Sequence, residues 1–188
     1  FRDYRGGGRS SGRETIGRVA AGAVAAKILR ELGVEVCAYT LSIGPVSINR
    51  DLFDFEEIQN NALFMPDAAA AKEASAYLEK CMSEKNSAGG MIECKITGVP
   101  AGIGEPVFEK LNANLGKAIL SIGAVKSFEI GDGIRVASSD GLHNNDAYRM
   151  DNEGNVWKKT NHSGGITGGL SDGTPIIIRA AFKPTPSI

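Results

Sequence analysis

The sequence predicts a single α+β domain that spans residues 1–188. Its 188 residues, 42% hydrophobic and 23% charged, are typical of a globular domain with an apolar core. Stretches with helical spacing of apolar residues alternate with runs of β-forming residues, which indicates mixed secondary structure. The 24 glycines are about twice the average frequency and indicate tight turns and pockets lined by backbone. The sequence shows neither an internal repeat nor an interdomain linker, so a single domain is the simplest interpretation.

The first predicted helix is followed closely by the first predicted strand. Ser11 and Glu14 fit a capping box, and apolar residues recur at helical spacing over residues 16–28. Gly33 provides a stop signal for this helix. Residues 34–43 then alternate as a β-strand. A helix that passes into a strand within two residues predicts tight packing of the pair.

The central part of the chain predicts three helices and one strand. A short helix is expected at residues 55–60, and an N-capped helix rich in alanine, lysine and glutamate at residues 67–84. Residues 91–99 alternate as a strand. Helical spacing returns over residues 107–119, after a loop that contains glycine.

The last third predicts short strands joined by glycine turns. Residues 125–130 and 134–137 flank the Gly-Asp-Gly run at residues 131–133, which favours a hairpin. Residues 138–160 are polar and irregular, and we expect a mobile loop or lid there, with its acidic residues in solvent. The strand at residues 175–182 completes the predicted set.

An anion-binding site is predicted at the start of the first helix. Five arginines occur within the first eighteen residues, beside a run of three glycines and the Ser10–Ser11 pair. Helix N-termini offer unpaired N–H groups, glycines permit close backbone approach, and guanidinium groups bind phosphate or carboxylate through paired hydrogen bonds. An RNA-binding Arg-Gly tail and a merely solvated charged surface are the alternatives. A second glycine run at residues 164–169 either forms a turn or shares this pocket.

The overall composition narrows the classes of partner and compartment. The net charge of −1 and pI near 6.2 argue against general binding to nucleic acid or to membrane surfaces. No run of eighteen apolar residues and no signal peptide is visible, so a cytoplasmic location is the default expectation. The three cysteines lie far apart and lack histidines at metal-binding spacing, so we expect free thiols and no metal site.

The ordered motifs of this chain resemble those of the chorismate synthase family. The stretch RDYRGGGRSSGRET at residues 2–15 resembles the central family signature, and its length makes the match specific. Further motifs follow in the family's order, at residues 102–108, 121–126, 129–133, 161–169 and 183–187. The resemblance covers essentially the whole chain.

The resemblance implies a fold, a reaction and a cofactor. The fold is a layered β-α-β sandwich of antiparallel sheets and helices. The reaction is the 1,4-elimination of phosphate from 5-enolpyruvylshikimate 3-phosphate to give chorismate, the last step of the shikimate pathway that leads to the aromatic amino acids. The family is homotetrameric, and its reaction requires reduced FMN although it involves no net redox change.

Family positions can be carried onto this chain where its motifs match. Arg13 corresponds to an arginine near the substrate. The residues that correspond to flavin contacts are Arg9, Ser10, Ser11, Gly123, Ala124, Gly168, Lys183, Pro184, Thr185, Pro186 and Ser187. Gly123 stands where relatives commonly have asparagine, so only a backbone contact is expected there.

The family's proton-transfer residues have no counterpart among these 188 residues. Its Gly-Glu-Ser-His-Gly and His-x-Asp motifs would precede Phe1, and its Arg-His-Asp-Pro motif would follow Ile188. The resemblance therefore implies a central fragment that contains no catalytic residue and is inactive alone. A non-catalytic anion-binding or oligomerisation module is the principal alternative, and an arginine-rich RNA-binding protein is the weaker one.

Overall fold

The computed structural model describes residues 12–186, which fall into two compact units. The first unit comprises residues 12–36, 96–123 and 130–176, and the second comprises residues 37–95, 124–129 and 177–186. Each unit is formed by segments that are distant in sequence. The expectation of a single domain over residues 1–188 stays a prediction.

The first unit contains two long helices and two small hairpins. A 3-10 turn, Gly12–Glu14, leads into helix α1, Thr15–Glu31, and helix α4 spans Leu111–Leu120. Strands β5, Tyr148–Met150, and β6, Val156–Lys158, pair antiparallel. Strands β7, Ile166–Thr167, and β8, Leu170–Ser171, form the second antiparallel pair.

Helix α1 confirms the predicted helix, but its apolar face is exposed. Gly33 follows the helix with a φ of 77°, as the predicted stop requires. None of the residues of α1 is buried, and Ile16, Val19 and Val24 are among its exposed apolar side chains. The packing partner of this face is therefore not among the described residues.

The second unit holds the larger part of a five-stranded sheet with the order β2-β1-β3-β9-β4. These strands span Glu35–Ile43 (β1), Val46–Ser47 (β2), Gly90–Thr97 (β3), Val125–Ile130 (β4) and Ile176–Phe182 (β9). The predicted strands at residues 34–43, 91–99, 125–130 and 175–182 are thus confirmed. The chain is α+β with antiparallel strand pairs, as the sequence predicts.

The core of the second unit lies between β1 and helix α3, which spans Ala68–Ser83. Tyr39 on β1, Met65 and Ala74 are among its buried residues, and Cys37 and Leu41 pack against it from the same face of the strand. The short helix α2, Glu57–Asn60, contributes the buried Ile58. Small alanine side chains let α3 approach the sheet closely.

Asp67 caps helix α3 as predicted and also fixes a neighbouring loop. Its carboxylate accepts the backbone N–H groups of Ala69 and Ala70 at 3.0 and 3.1 Å and that of Asn49 at 2.9 Å. These bonds, first that from Asn49, lower the pKa of Asp67. The stability that they confer is therefore present above the ordinary aspartate pKa of about 3.9 and is lost as the pH falls further.

Replacing Asp67 with alanine should lower the free energy of unfolding by about 2 kcal/mol, because three backbone N–H groups, of which that of Ala70 is buried, lose their acceptor. Urea denaturation of the purified chain at pH 7 measures this loss. Glu73→Ala, at an exposed position of the same helix, is the matched control and should change stability by less than about 0.5 kcal/mol. Equal effects of the two changes would refute the capping role.

The predicted hairpin at Gly131-Asp132-Gly133 is wrong. Residues Gly133–Ser138 form a 3-10 helix instead of a strand. Gly131 has a φ of 55° and lies so close to the chain at His162 that a Cβ would be 2.0 Å from the His162 carbonyl oxygen. The glycine permits this long-range backbone contact and does not form a two-residue turn between strands.

Two other local predictions need correction. Helix α4 begins at Leu111 and not at residue 107, because Val107 adopts a φ of 63° and cannot continue a helix. The stretch expected to be a mobile loop, residues 138–160, contains the β5–β6 hairpin. Its Asp151 caps the connecting turn by accepting the N–H groups of Glu153 and Asn155 at 2.9 Å each.

The three cysteines are free thiols, as expected. Cys81 is buried, and Cys37 and Cys94 are half-buried. Burial raises the pKa of the Cys94 thiol to about 11, so the thiolate that would react with electrophiles or metals is scarce at neutral pH. Among the described residues, no helix is both long enough and apolar enough to cross a membrane.

Candidate flavin and phosphate site

The start of helix α1 is held against the end of helix α4. Arg9, Ser10 and Ser11 lie outside the described residues, and Arg13 is exposed in the turn that follows them. Arg18, one turn into the helix, forms an ion pair with Glu14. Its guanidinium group also donates to the carbonyl and hydroxyl oxygens of Ser121, each at 3.2 Å. The start of helix α1 therefore lies close to the residues that precede Gly123.

Gly123 and Ala124 form a tight connection between α4 and β4. Around Gly123 the space is open, since a Cβ there would meet no atom within 4 Å. Ala124 has a φ of 71°, a conformation that L-residues other than glycine adopt rarely and at a cost. Observed strain of this kind is often found where backbone is shaped for a ligand.

The second unit brings Ala124 together with the segment after β9. The backbone N–H of Lys183 donates to the Ala124 carbonyl at 3.0 Å. Two segments that the family resemblance assigns to the flavin, distant in sequence, thus meet through the main chain. Sequence reasoning proposed both segments but could not predict that they touch.

The segment at residues 183–186 is fixed on its other side by the start of β3. The Ser87 hydroxyl donates to the Thr185 carbonyl at 2.7 Å. A Cβ on Gly89 would lie 2.8 Å from the Phe182 carbonyl oxygen and 3.2 Å from the Pro184 ring. Pro186 is exposed, and Ser187 lies outside the described residues.

Gly168 lies in the tight turn between β7 and β8. Its φ is 64°, and a Cβ on it would meet no atom within 4 Å. By contrast, a Cβ on Gly164 would be 2.2 Å from the Gly131 nitrogen, and one on Gly169 would be 2.5 Å from the Lys110 side chain. Gly168 is therefore the residue of this run whose backbone has open space in front of it, as a ligand contact would require.

Sequence reasoning missed a polar cavity of about 480 Å³ in the first unit. Its lining includes two Asp–His pairs, in which Asp132 contacts His162 Nδ1 at 2.7 Å and Asp140 contacts His143 Nδ1 at 2.7 Å. Burial opposes ionisation of Asp132, but the hydrogen bond from His162 and the charge of Arg135 outweigh it and lower its pKa. His162 thus pairs with a carboxylate that lies 30 residues away in the sequence. No sequence pattern signals this pair.

An apolar cavity of about 490 Å³ also lies in the first unit. Leu29 and Leu32 from the end of α1, and Leu111 and Leu115 from α4, line it with the buried Ile176. Of the residues that the family resemblance assigns to the flavin, those that the structure describes line neither of these two cavities. Among residues 12–186, no three His, Cys, Asp or Glu side chains are arranged to hold a metal ion.

Comparison with known proteins gives one consistent family. A model of the family described as "Chorismate synthase" matches residues 1–188. Proteins named chorismate synthase from Agathobacter rectalis and Lachnoclostridium phytofermentans are 64% and 63% identical to this chain over all of its 188 residues. The alignments cover 51% of each relative, so the chain spans about half the length of these curated proteins.

A solved structure titled "Crystal Structure of Chorismate Synthase" has the same fold. It superposes with a TM-score of 0.86 at 29% sequence identity, covering 93% of this chain and 57% of that one. The family match extends over every motif that the sequence analysis singled out. This chain belongs to the chorismate synthase family.

Proposed function

We propose that this chain supplies the flavin-binding and phosphate-binding half of a chorismate synthase. The whole enzyme converts 5-enolpyruvylshikimate 3-phosphate to chorismate with reduced FMN, in the cytoplasm and as a homotetramer. The observation that carries the proposal is the family match over residues 1–188, since the relatives that share it are named chorismate synthase. The catalytic acid and base belong to family motifs that have no counterpart in this chain.

Several features of the described residues support binding of a phosphorylated cofactor. Gly123 and Gly168 leave open space in front of their backbone, and the positive φ of Ala124 shapes the chain between α4 and β4. Ala124 is joined by a hydrogen bond to Lys183, an exposed lysine of the kind that binds phosphate as a point charge. These features support binding of FMN by Arg9, Ser10, Ser11, Gly123, Ala124, Gly168 and residues 183–187.

The arginine-rich turn before α1 suits the substrate's phosphate and carboxylates. Arg13 is exposed beside the helix start, where the unpaired N–H groups and the helix dipole favour an anion. A guanidinium group there stabilises the phosphate as it leaves and accumulates charge. Reduced FMN, when bound, supplies electron density to the substrate during the elimination.

A chimeric enzyme tests the proposal. The 188 residues replace the matching segment of the Agathobacter rectalis relative, which supplies the other half of the family's length. We expect the chimera to bind FMN and to form chorismate from 5-enolpyruvylshikimate 3-phosphate under reducing conditions, whereas the 188-residue chain alone forms none. A folded chimera that binds no flavin and forms no chorismate would favour the alternative of a non-catalytic anion-binding module.

Replacing Ser10 and Ser11 together with alanine in the chimera should weaken FMN binding by about tenfold. The expected loss corresponds to one or two hydrogen bonds of about 1 kcal/mol each. Fluorescence titration of FMN measures it, and Ser83→Ala, at an exposed end of helix α3, is the control. Unchanged flavin affinity in the double variant would remove both serines from the site.

A further inference from the structure

Lys158 is a buried lysine in the first unit, and it lies between two carboxylates. Its side chain is only 4% exposed, and Nζ lies 2.6 Å from Asp172 Oδ2 and 3.8 Å from Asp146 Oδ2. The two aspartates are 9% and 7% exposed. Burying three charged groups is costly unless all of them are paired, so this cluster holds its members in one arrangement.

The cluster is connected to the second glycine run at two points. Lys158 Nζ donates to the Ser163 hydroxyl at 3.0 Å and to the Thr167 hydroxyl at 3.2 Å. The Thr167 hydroxyl in turn donates to Asp172 at 2.9 Å. Residues on each side of Gly164-Gly165-Ile166 are therefore tied to the same ammonium group.

Asp146 fixes the start of the run through the main chain. Its carboxylate accepts the backbone N–H groups of His162 at 2.7 Å and of Ser163 at 2.9 Å, and the Thr160 hydroxyl at 2.7 Å. Burial opposes ionisation of Asp146, but these hydrogen bonds outweigh it and hold its pKa far below the ordinary value. The carboxylate is therefore ionised at neutral pH and pairs with Lys158.

Thr167 immediately precedes Gly168, whose backbone has open space in front of it. A glycine with a φ of 64° has few steric constraints of its own, so its neighbours must define its position. Thr167 is anchored by two hydrogen bonds to the buried cluster, although the residue itself is exposed. The residue next to Gly168 is therefore tied directly to the buried cluster.

We propose that Lys158, paired with Asp146 and Asp172, is a positioning residue that fixes Thr167 and thereby presents the Gly168 backbone to the flavin. The inference rests on the proposed function and adds residues that the family motifs do not assign to the flavin. In this role Lys158 acts through Thr167 and not by contact with the cofactor or the substrate. Productive binding requires that the contacting atoms be held within fractions of an ångström. A fully paired, buried lysine behind the exposed turn at Gly168 provides this precision.

The chimeric enzyme described above permits a double-mutant cycle. Lys158→Met removes the ammonium group and keeps the length of the side chain, and Thr167→Val removes only the hydroxyl and leaves the ion cluster intact. We expect each single variant to weaken FMN binding by about tenfold in fluorescence titration, and the double variant to be no weaker than Lys158→Met alone. The Michaelis constant for 5-enolpyruvylshikimate 3-phosphate at saturating FMN should stay within about twofold of the parent.

The controls separate positioning from general stability. Lys159→Met changes the neighbouring exposed lysine and should leave FMN affinity unchanged. If Lys158→Met does not fold, the FMN affinity of Thr167→Val tests the inference by itself, because that change is confined to an exposed side chain. Folded variants with the FMN affinity of the parent, or effects that add in the double variant, would overturn the inference. A parent chimera that binds no FMN would instead overturn the proposed function together with the inference.

Discussion

The Glu93→Gln variant is expected to lose about 3 kcal/mol of unfolding free energy. Glu93 on β3 is 2% exposed, and its carboxylate contacts Arg50 at 2.7 Å, Arg179 at 3.1 Å and the Tyr39 hydroxyl at 2.5 Å. Removing one partner of a buried ion pair costs about 3–5 kcal/mol because the remaining charges are left uncompensated. We expect a loss at the lower end of this range, because the Arg50 side chain is 57% exposed and Arg179 keeps Glu129 as a partner.

The same network makes the stability of the second unit depend on pH. Burial alone would raise the pKa of Glu93. This effect is outweighed by the hydrogen bonds from Arg50, Tyr39 and Arg179 and by the charge of Arg50, so the pKa lies below the ordinary value. A carboxyl group whose pKa is lowered by folding stabilises the folded state above its unfolded pKa, about 4.3. That contribution is lost as the pH falls from there through the folded pKa.

Urea denaturation of the parent and of Glu93→Gln at pH 7 and at pH 3 measures both effects. The difference between the two proteins should be largest at pH 7. It should shrink at pH 3, below the ordinary glutamate pKa of about 4.3, because unfolding there takes up a proton and the parent loses part of this contribution. Glu79→Gln, an exposed glutamate of α3, is the control and should change stability by less than about 0.5 kcal/mol. A Glu93→Gln variant as stable as this control at pH 7 would contradict the network's role.

Gly131→Ala should destabilise the first unit by about 3 kcal/mol. The new Cβ would be 2.0 Å from the His162 carbonyl oxygen and 2.6 Å from the Gly164 nitrogen, and the φ of 55° is itself unfavourable for alanine. Both clashes are with backbone, which cannot rotate away as a flexible side chain can. Strain at such a φ and overpacking each cost about 1–3 kcal/mol.

The effect of Gly131→Ala should extend to the flavin. The clash displaces the chain at residues 162–164, which leads directly to the turn at Gly168. We therefore expect weaker FMN binding in the chimera together with a lower melting temperature. Gly141→Ala is the matched control, because a Cβ there meets no atom within 4 Å and its φ is ordinary. Equal melting temperatures for the two variants would refute the close backbone contact.

Local patterns in the sequence predicted most regular elements correctly. The strand β1 and the helix α3 were predictable because alternation, a capping aspartate and an alanine-rich run are short-range signals. The hairpin at residues 131–133 was mispredicted because the glycines there permit contact with residues 162–164, far along the chain. Local turn signals do not distinguish a hairpin from such a tertiary contact.

The residues of the candidate site that lie in contiguous sequence motifs could be proposed from the sequence. Family motifs predict flavin contacts at Gly123, Ala124, Gly168 and Lys183, and this assignment stays a prediction, although a backbone hydrogen bond joins Ala124 to Lys183. The supporting residues were not predictable, because Asp146 and Lys158 lie in a polar stretch that reads as solvated surface. Only the three-dimensional pairing of that lysine with Asp172 makes it a buried cluster.

Hydrogen exchange of the chimera with and without FMN tests most directly whether these segments form a flavin site. If these segments form the flavin site, FMN slows amide exchange at residues 122–125, 167–169 and 183–187, and at the arginine-rich turn before α1. Exchange in helix α3, to which the family motifs assign no flavin contact, should not change. Protection confined to other segments, such as the polar cavity around Asp132 and His143, or no protection at saturating FMN, would contradict it.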